Sequence, residues 1–375
     1  MVVSNIVKYG AVDEEAQKTD FKGSLRSLVR TDSDDSHLSK LSAVLLESVK
    51  YENDEEAWVQ DLGGTASIFS EIINISKNLL GAGVLSMSGG IAMYANDPWA
   101  VLNGSFWIVV QAAIFGYFCV LIAKVCRLTE SSTIRQCWEA TMGERFAVAI
   151  VVVIGLNPCQ GTLAYSAILS QTFRSLCMTV GINLTYLQSL LIVTVGALLP
   201  LCLMKNIHAL APFSVLGTAS VLLTAFAMIY RAVDGSYQPG GQYYDDLIPK
   251  FQPSFGDYYE PWSPRVMPLI CMIFEAYVMH YNSPRFYMEL NNRSIPRFSK
   301  CVGGAFGLSA LIYVGIAGAG YLTFGGNSDS YILNNYSPQD PLATACRLLV
   351  GISVLTIYPI GKHQCFYSVF SNPLV

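Results

Sequence analysis

The chain has 375 residues, 52% of them hydrophobic and only 13% charged, with a net charge of −4. A soluble domain usually devotes about a quarter of its residues to charge, and here residues 1–65 alone hold 20 of the 50 charged side chains. That excludes a disordered chain, a coiled coil or an ordinary soluble enzyme for most of the length, and the absence of a basic field excludes nucleic acid as a partner.

Residues 1–65 carry acidic and Ser-rich clusters, Thr31–Ser36 and Glu52–Glu56, with no long apolar run and no basic lead into a signal-peptide core. They read as a polar cytosolic tail, largely disordered, with a short helix near 38–49. From residue 66 to 362 the chain turns into apolar blocks of about 20 residues, each long enough to cross the hydrocarbon layer as a helix. Eight such blocks are predicted, at 66–92, 101–125, 146–172, 187–204, 209–231, 266–290, 301–322 and 341–361, with 363–375 as a short cytosolic end. The chain is thus read as an all-α membrane protein embedded in a lipid bilayer.

Lys124, Arg127, Arg135, Arg145, Lys205, Arg293, Arg297, Lys300 and Lys362 fall on one side of these blocks, against four basic residues on the other. The asymmetry predicts a cytosolic N-terminus. The sequons at Asn183 and Asn335 then fall in outer loops. Ten cysteines lie mostly inside apolar runs and read as packing residues, with no disulfide framework or metal pair. Arg347 in the eighth block is expected to pair with Asp340, and Asn157-Pro158 to kink the third. The glycines between Gly303 and Gly320 read as a close-packing face.

The first block is the most informative. Asn74, Ser76, Lys77 and Asn78 precede Gly81-Ala82-Gly83 in mid-segment. Lys77 is costly there unless it faces a cavity or a partner, and Glu71 and Glu275 are candidate partners. Glycines let the helix unwind and bare N–H groups that lipid cannot satisfy. The sixth block has a matching interruption, with Glu275, Tyr277, His280, Tyr281, Asn282, Ser283 and Pro284 in one crossing. Proline removes a backbone donor and clashes with the preceding turn.

Two interrupted segments five blocks apart point to a carrier with inverted repeats and a mid-membrane site. A helix N-terminus beyond Gly83 suits a carboxylate, and carbonyls near Met279–Tyr281 suit an ammonium. Together they describe an amino acid. Channels and receptors share the apolar blocks but give no reason for two matched breaks. An enzyme would need a clustered site, and the four histidines form no such motif.

Asn74-Ile-Ser-Lys-Asn-Leu-Leu-Gly-Ala-Gly-Val-Leu-Ser86 resembles the first-span motif of the amino acid/auxin permease family, which includes the sodium-coupled neutral amino acid transporters. His280-Tyr-Asn-Ser-Pro-Arg-Phe-Tyr-Met-Glu-Leu290, with Arg293–Phe298, resembles its sixth-span signature, and Ala319–Gly325 is similar to the end of its seventh. The resemblance covers about 66–362. It implies a five-plus-five inverted-repeat fold of eleven spans that carries amino acids, usually with Na⁺ or H⁺, and it suggests neutral ones, with auxin-like or cationic substrates left open. No cofactor is expected, and the plasma, vacuolar and lysosomal membranes are all open. The last three spans are missing from the eight read here, so the fold is expected to be cut short.

On this reading the substrate-binding residues are Asn78, Gly81, Ala82, Gly83, Tyr277, Tyr281, Asn282 and Ser283. The ion-coupling residues are Lys77, Glu275, His280, Ser353 and Thr356. Lys77 stands where sodium-coupled relatives resemble one another in having Asn. Its fixed ammonium would repel a second cation, which predicts Na⁺-independent transport, with H⁺ coupling or exchange.

Overall fold

The computed structural model describes residues 64–203 and 213–370. The polar tail with its expected helix at 38–49, the last residues from 371, and the side chain of Thr356 lie outside what is described. Among the described residues the regular structure is helical, with three isolated bridges and no strand.

The first predicted crossing is two pieces. α1 (Ile68–Leu79) begins where the Ser67 hydroxyl accepts from the Ser70 N–H at 3.1 Å, and it ends at Leu80. Gly81 is extended (φ −99°, ψ 173°), a 3₁₀ turn follows over Ala82–Ser86, and α2 (Met87–Ala92) completes the segment. The sixth crossing divides in the same way. α9 (Met267–Tyr277) stops at Val278, a 3₁₀ turn spans His280–Asn282, and α10 (Ser283–Glu289) continues. The interruption lies upstream of Pro284, which sits in the first turn of α10, where its missing N–H has no intrahelical acceptor in any case. The proline starts the second piece rather than bending a continuous one.

Between and after these segments run α3 (Ala100–Leu128), α4 (Ile134–Met142) and α5 (Glu144–Thr179). α6 (Tyr186–Val193) passes through a π turn (Thr194–Leu198) into α7 (Leu199–Leu203). α8 (Phe213–Asp234), α11 (Ile295–Phe324) and α12 (Pro341–Phe370) complete the set. α3, α5 and α11 are each long and apolar enough to cross a bilayer unaided. α5 has 36 residues, about 54 Å at 1.5 Å per residue. It stays helical through Asn157-Pro158, so the expected kink produces no break in the helix.

α11 is the packing centre. It lies against α1, α2, α3 and α8, while α5 packs on α12. Gly304 and Gly320 permit two of these approaches: a Cβ at Gly304 would meet Ile72 Cδ1 at 2.8 Å, and one at Gly320 would meet Ser88 Oγ at 2.3 Å. Gly303 and Gly307 have open space beside them, so only part of the glycine pattern is a packing face. Large apolar side chains are exposed along α3, α5 and α8, among them Phe106, Val109, Leu156, Leu163 and Phe226. In water such a surface would aggregate; against lipid it needs no partner.

The 235–265 loop is tied down by single bridges, Ala95 with Tyr259 and Ser254 with Gly325. Gly325 has φ +60°, and a Cβ there would lie 2.0 Å from the Ser254 carbonyl oxygen, so glycine is required. Beneath the loop, Asp340 is fully buried and accepts from Arg231 Nε (2.9 Å) and Nη2 (2.8 Å) and from the Tyr237 hydroxyl (2.9 Å). Arg347 does not take Asp340, contrary to the sequence expectation. Its guanidinium donates instead to the backbone carbonyls of Leu333, Tyr336 and Ser337. Asn335 is fully buried, its Oδ1 accepting from the Asp329 N–H and its Nδ2 donating to the Asn327 carbonyl. A glycan cannot be attached there in the folded chain, whereas Asn183 is exposed. The seven described cysteines are free thiols.

Candidate functional site

Each interrupted segment ends its first helix with carbonyls that have no next turn to bond. At the first, the Leu80 and Gly81 N–H groups fold back on the Ser76 and Leu79 carbonyls, both at 2.8 Å. At the second, Val278 and Met279 leave helical geometry (ψ 97° and 10°), and the Asn282 N–H closes on the Met279 carbonyl at 2.9 Å. The two breaks meet on one side chain. The Tyr313 hydroxyl of α11, fully buried, lies 2.5 Å from the Leu79 carbonyl and 3.3 Å from that of Ala276. The C-terminal ends of α1 and α9 therefore converge, and both carry the negative end of a helix dipole.

Gly81 is half-buried, and a Cβ on it would stand 3.8 Å from the Tyr165 hydroxyl of α5. Gly83 is exposed with open space beside it, and Asn78 is also exposed. The side chain of Ala82 lies outside the described set. Tyr281 is half-buried, within electrostatic reach of Tyr165 and Glu275. Asn282 precedes α10 without capping it through its side chain.

Two of the predicted substrate residues turn elsewhere. Tyr277 is fully buried in an aromatic cluster, its ring 5.6 Å from Phe306 and 5.0 Å from Tyr313, with its hydroxyl lacking a partner. The Ser283 hydroxyl is committed to the Cys119 carbonyl of α3 at 2.6 Å. Both side chains fasten the segment to its neighbours.

The described ion-coupling candidates have different surroundings. Lys77, in the last turn of α1, is half-buried and makes no hydrogen bond or ion pair among the described residues. The alternative pairing with Glu71 or Glu275 is not seen there. Glu71 is fully buried near the start of α1, and Glu275 accepts from Asn157 Nδ2 of α5 at 3.4 Å. Glu275 is exposed rather than buried. His280 faces α3, with its ring 5.0 Å from Phe115 and 6.1 Å from Phe118 and its Nε2 unpartnered. Ser353 is buried on α12.

Sequence reasoning missed Tyr313 and Tyr165 altogether, and it read Asn157 only as part of a kink. Nothing local marks these tyrosines, because an isolated Tyr in an apolar run is an ordinary packing residue. A useful signal was available in the freed carbonyls, which demand a buried donor from another helix.

Residues 64–372 match the family model described as transmembrane amino acid transporter protein. The chain belongs to the transmembrane amino acid transporter family. Members of this family are carriers, not enzymes. A relative from Danio rerio named "Putative sodium-coupled neutral amino acid transporter 11" is 25% identical over 320 residues, covering 83% of this chain and 67% of the relative. Its counterpart of the same name in Bos taurus is 25% identical, covering 81% and 62%. The vacuolar amino acid transporter 2 of Saccharomyces cerevisiae is 21% identical, covering 84% and 62%. The family match takes in both interrupted segments, and the chain spans about two thirds of the length of these relatives.

Proposed function

We propose that this protein carries amino acids, neutral ones foremost, across a membrane by alternating access around the breaks at Leu80–Gly83 and Val278–Asn282. The observation that carries the reading is the convergence of both breaks on Tyr313, since it joins two carbonyl-rich helix ends that are 197 residues apart in the chain (Leu79 and Ala276). Those ends suit the ammonium of a substrate, and the 3₁₀ turn opening at Gly81 presents N–H groups to its carboxylate. Gly81, Gly83 and Tyr281, with Asn78, Ala82 and Asn282 beside them, form the substrate lining. The interrupted segments are the first elements of two inverted repeats, which is the arrangement that places a site at the middle of a membrane.

Lys77 and Glu275 are the proposed ion-responsive residues, with Ser353 and Thr356 on α12 as further contributors and His280 holding the bend. A free ammonium in the last turn of α1 opposes a second cation nearby. Transport is therefore proposed to be independent of Na⁺, driven by H⁺ or by exchange, although two of the relatives are named for sodium coupling. The lysine and arginine asymmetry supports a cytosolic N-terminus, and a plasma, vacuolar or lysosomal membrane is the setting.

Uptake of a panel of radiolabelled neutral L-amino acids into proteoliposomes, in Na⁺ and in choline at fixed pH, tests the reading. Saturable, stereoselective uptake that is equal in both media is the expected result. Strong sodium dependence would overturn the coupling, and non-saturable uptake would overturn the carrier.

A further inference from the structure

Tyr313 does more than fill a gap. Its hydroxyl is within reach of two acceptors, the Leu79 carbonyl at 2.5 Å and the Ala276 carbonyl at 3.3 Å, yet it has one proton to give. Both carbonyls belong to helices that stop within a residue or two, so neither has a complete set of intrahelical partners. Two negative dipole ends thus face one phenol, with the Leu79 carbonyl also accepting from the Gly81 N–H at 2.8 Å. The phenol projects from the middle of α11 and is completely buried, with its ring 5.0 Å from that of Tyr277 at the end of α9, so α11 rather than either half-helix sets its position.

We propose that Tyr313 is a latch that couples the movements of α1 and α9. This rests on the carrier reading for its purpose but not for its test. While the hydroxyl bridges the two carbonyls, the ends of both half-helices are pinned to α11 as one unit. A substrate ammonium arriving at the breaks competes for the same carbonyls, displaces the phenol proton and releases both helices together. Tyr313 is accordingly a positioning residue, and it sets how tightly the empty site resists the ligand.

Tyr313→Phe in the full chain removes only the hydroxyl. Tyr321→Phe is the matched control, because Tyr321 is also buried on α11 and donates to a backbone carbonyl, that of Asp97, away from the breaks. Hydrogen–deuterium exchange read by mass spectrometry needs no ligand. Losing one buried hydrogen bond should speed amide exchange at Leu80–Ser86 and at Val278–Ser283 by about five- to tenfold, in both segments together. Tyr321→Phe should leave both segments as they are. Acceleration in one segment only, or equal acceleration in the control, would overturn the latch. If Tyr313→Phe does not yield folded protein, the unmutated chain still decides: the two segments should open with matching protection, and rates differing by more than about tenfold would overturn the proposal. Where the unmutated chain takes up an amino acid, Tyr313→Phe should lower the KM for it while lowering kcat, since competition for the carbonyls is gone but coupled release is lost. An unchanged KM would overturn the proposal, while absence of any saturable uptake would count against the carrier reading alone.

Discussion

Glu275 and Asn157 join the second break to α5, with Asn157 Nδ2 donating to the Glu275 carboxylate at 3.4 Å. His280, five residues further on, is turned to the opposite neighbour and packs on Phe115 of α3. Glu275 and His280 therefore meet different helices, and Glu275 is the one proposed to respond to an ion.

It follows that Glu275→Gln and His280→Gln should separate. Loss of a charged group that makes a polar contact at the site is worth ~1.5–3 kcal/mol, or about tenfold or more in rate. Uptake by Glu275→Gln should drop by that factor, and His280→Gln should stay within about twofold because it fills similar space beside the phenylalanines. Initial rates at saturating amino acid check this; equal losses in the two variants would restore His280 as a coupling residue.

Arg231 and Asp340 tie the end of α8 to the start of α12 beneath the 235–265 loop, in a bidentate contact from which water is excluded on the Asp340 side. Removing Arg231 orphans the fully buried Asp340 carboxylate, and removing Asp340 strips Arg231 of its bidentate partner and leaves it only Asp234; breaking a buried pair of this kind costs about 3–5 kcal/mol. Asp340→Ala should lower the Tm sharply, and Arg231→Met combined with Asp340→Leu should recover much of the loss, since no fully buried charge is left and only the partly exposed Asp234 loses a partner. Thermal unfolding of the single and double variants measures the coupling. A double variant as unstable as Asp340→Ala would show that the hydrogen bonds of Asp340 to Tyr237 and to the Leu342 N–H matter more than the ion pair.

The breaks were legible because their cause is local. Gly81-Ala82-Gly83 changes what the backbone can do within a few residues, Pro284 marks the start of the helix that follows the second break, and the spacing of apolar blocks fixed which segments they interrupt. The partners were not legible, because they are distant in sequence. Asp340 lies seven residues from Arg347, close enough to invite pairing, yet Arg231, 109 residues away, reaches it with two nitrogens. Arg347 then finds three carbonyls in the turn before α12, an acceptor set that carries no side-chain signature. The Asn335 sequon failed for a related reason: three residues define the motif, but burial by the 327–340 segment decides whether an enzyme can reach it.

Asp234 supplies a pH signature at the same end of the molecule. Burial opposes its ionisation, but the Ser236 N–H and hydroxyl and the Arg231 guanidinium outweigh that and hold the carboxyl below its ordinary 3.8. A depressed carboxyl stabilises the fold above its unfolded value, and the contribution is lost as pH falls through the folded value. Stability should therefore be level with respect to Asp234 above about pH 5 and decline below about pH 4. Asp234→Asn should be less stable than the unmutated chain near neutral pH, with the gap closing on acidification. A gap that is constant from pH 7 to pH 3 would remove Asp234 from the acid response.

Glycines of the first segment should divide into packing and site positions. A Cβ at Gly89 would lie 2.5 Å from the Asp329 carbonyl oxygen and 2.8 Å from its carbon, backbone atoms that cannot rotate away. Gly89→Ala must push α2 off the 329–330 turn, and overpacking of this kind costs about 1–3 kcal/mol. Gly83 has nothing within 4 Å of the same construction, so Gly83→Ala meets no steric obstacle. Its methyl would instead narrow the space beside the break and restrict the backbone there. The expected pattern is a lowered Tm with Gly89→Ala, and an unchanged Tm with a raised KM for the amino acid with Gly83→Ala. Thermal unfolding and uptake kinetics on the same preparations check both, and a Gly83→Ala variant with unaltered KM would remove Gly83 from the substrate lining.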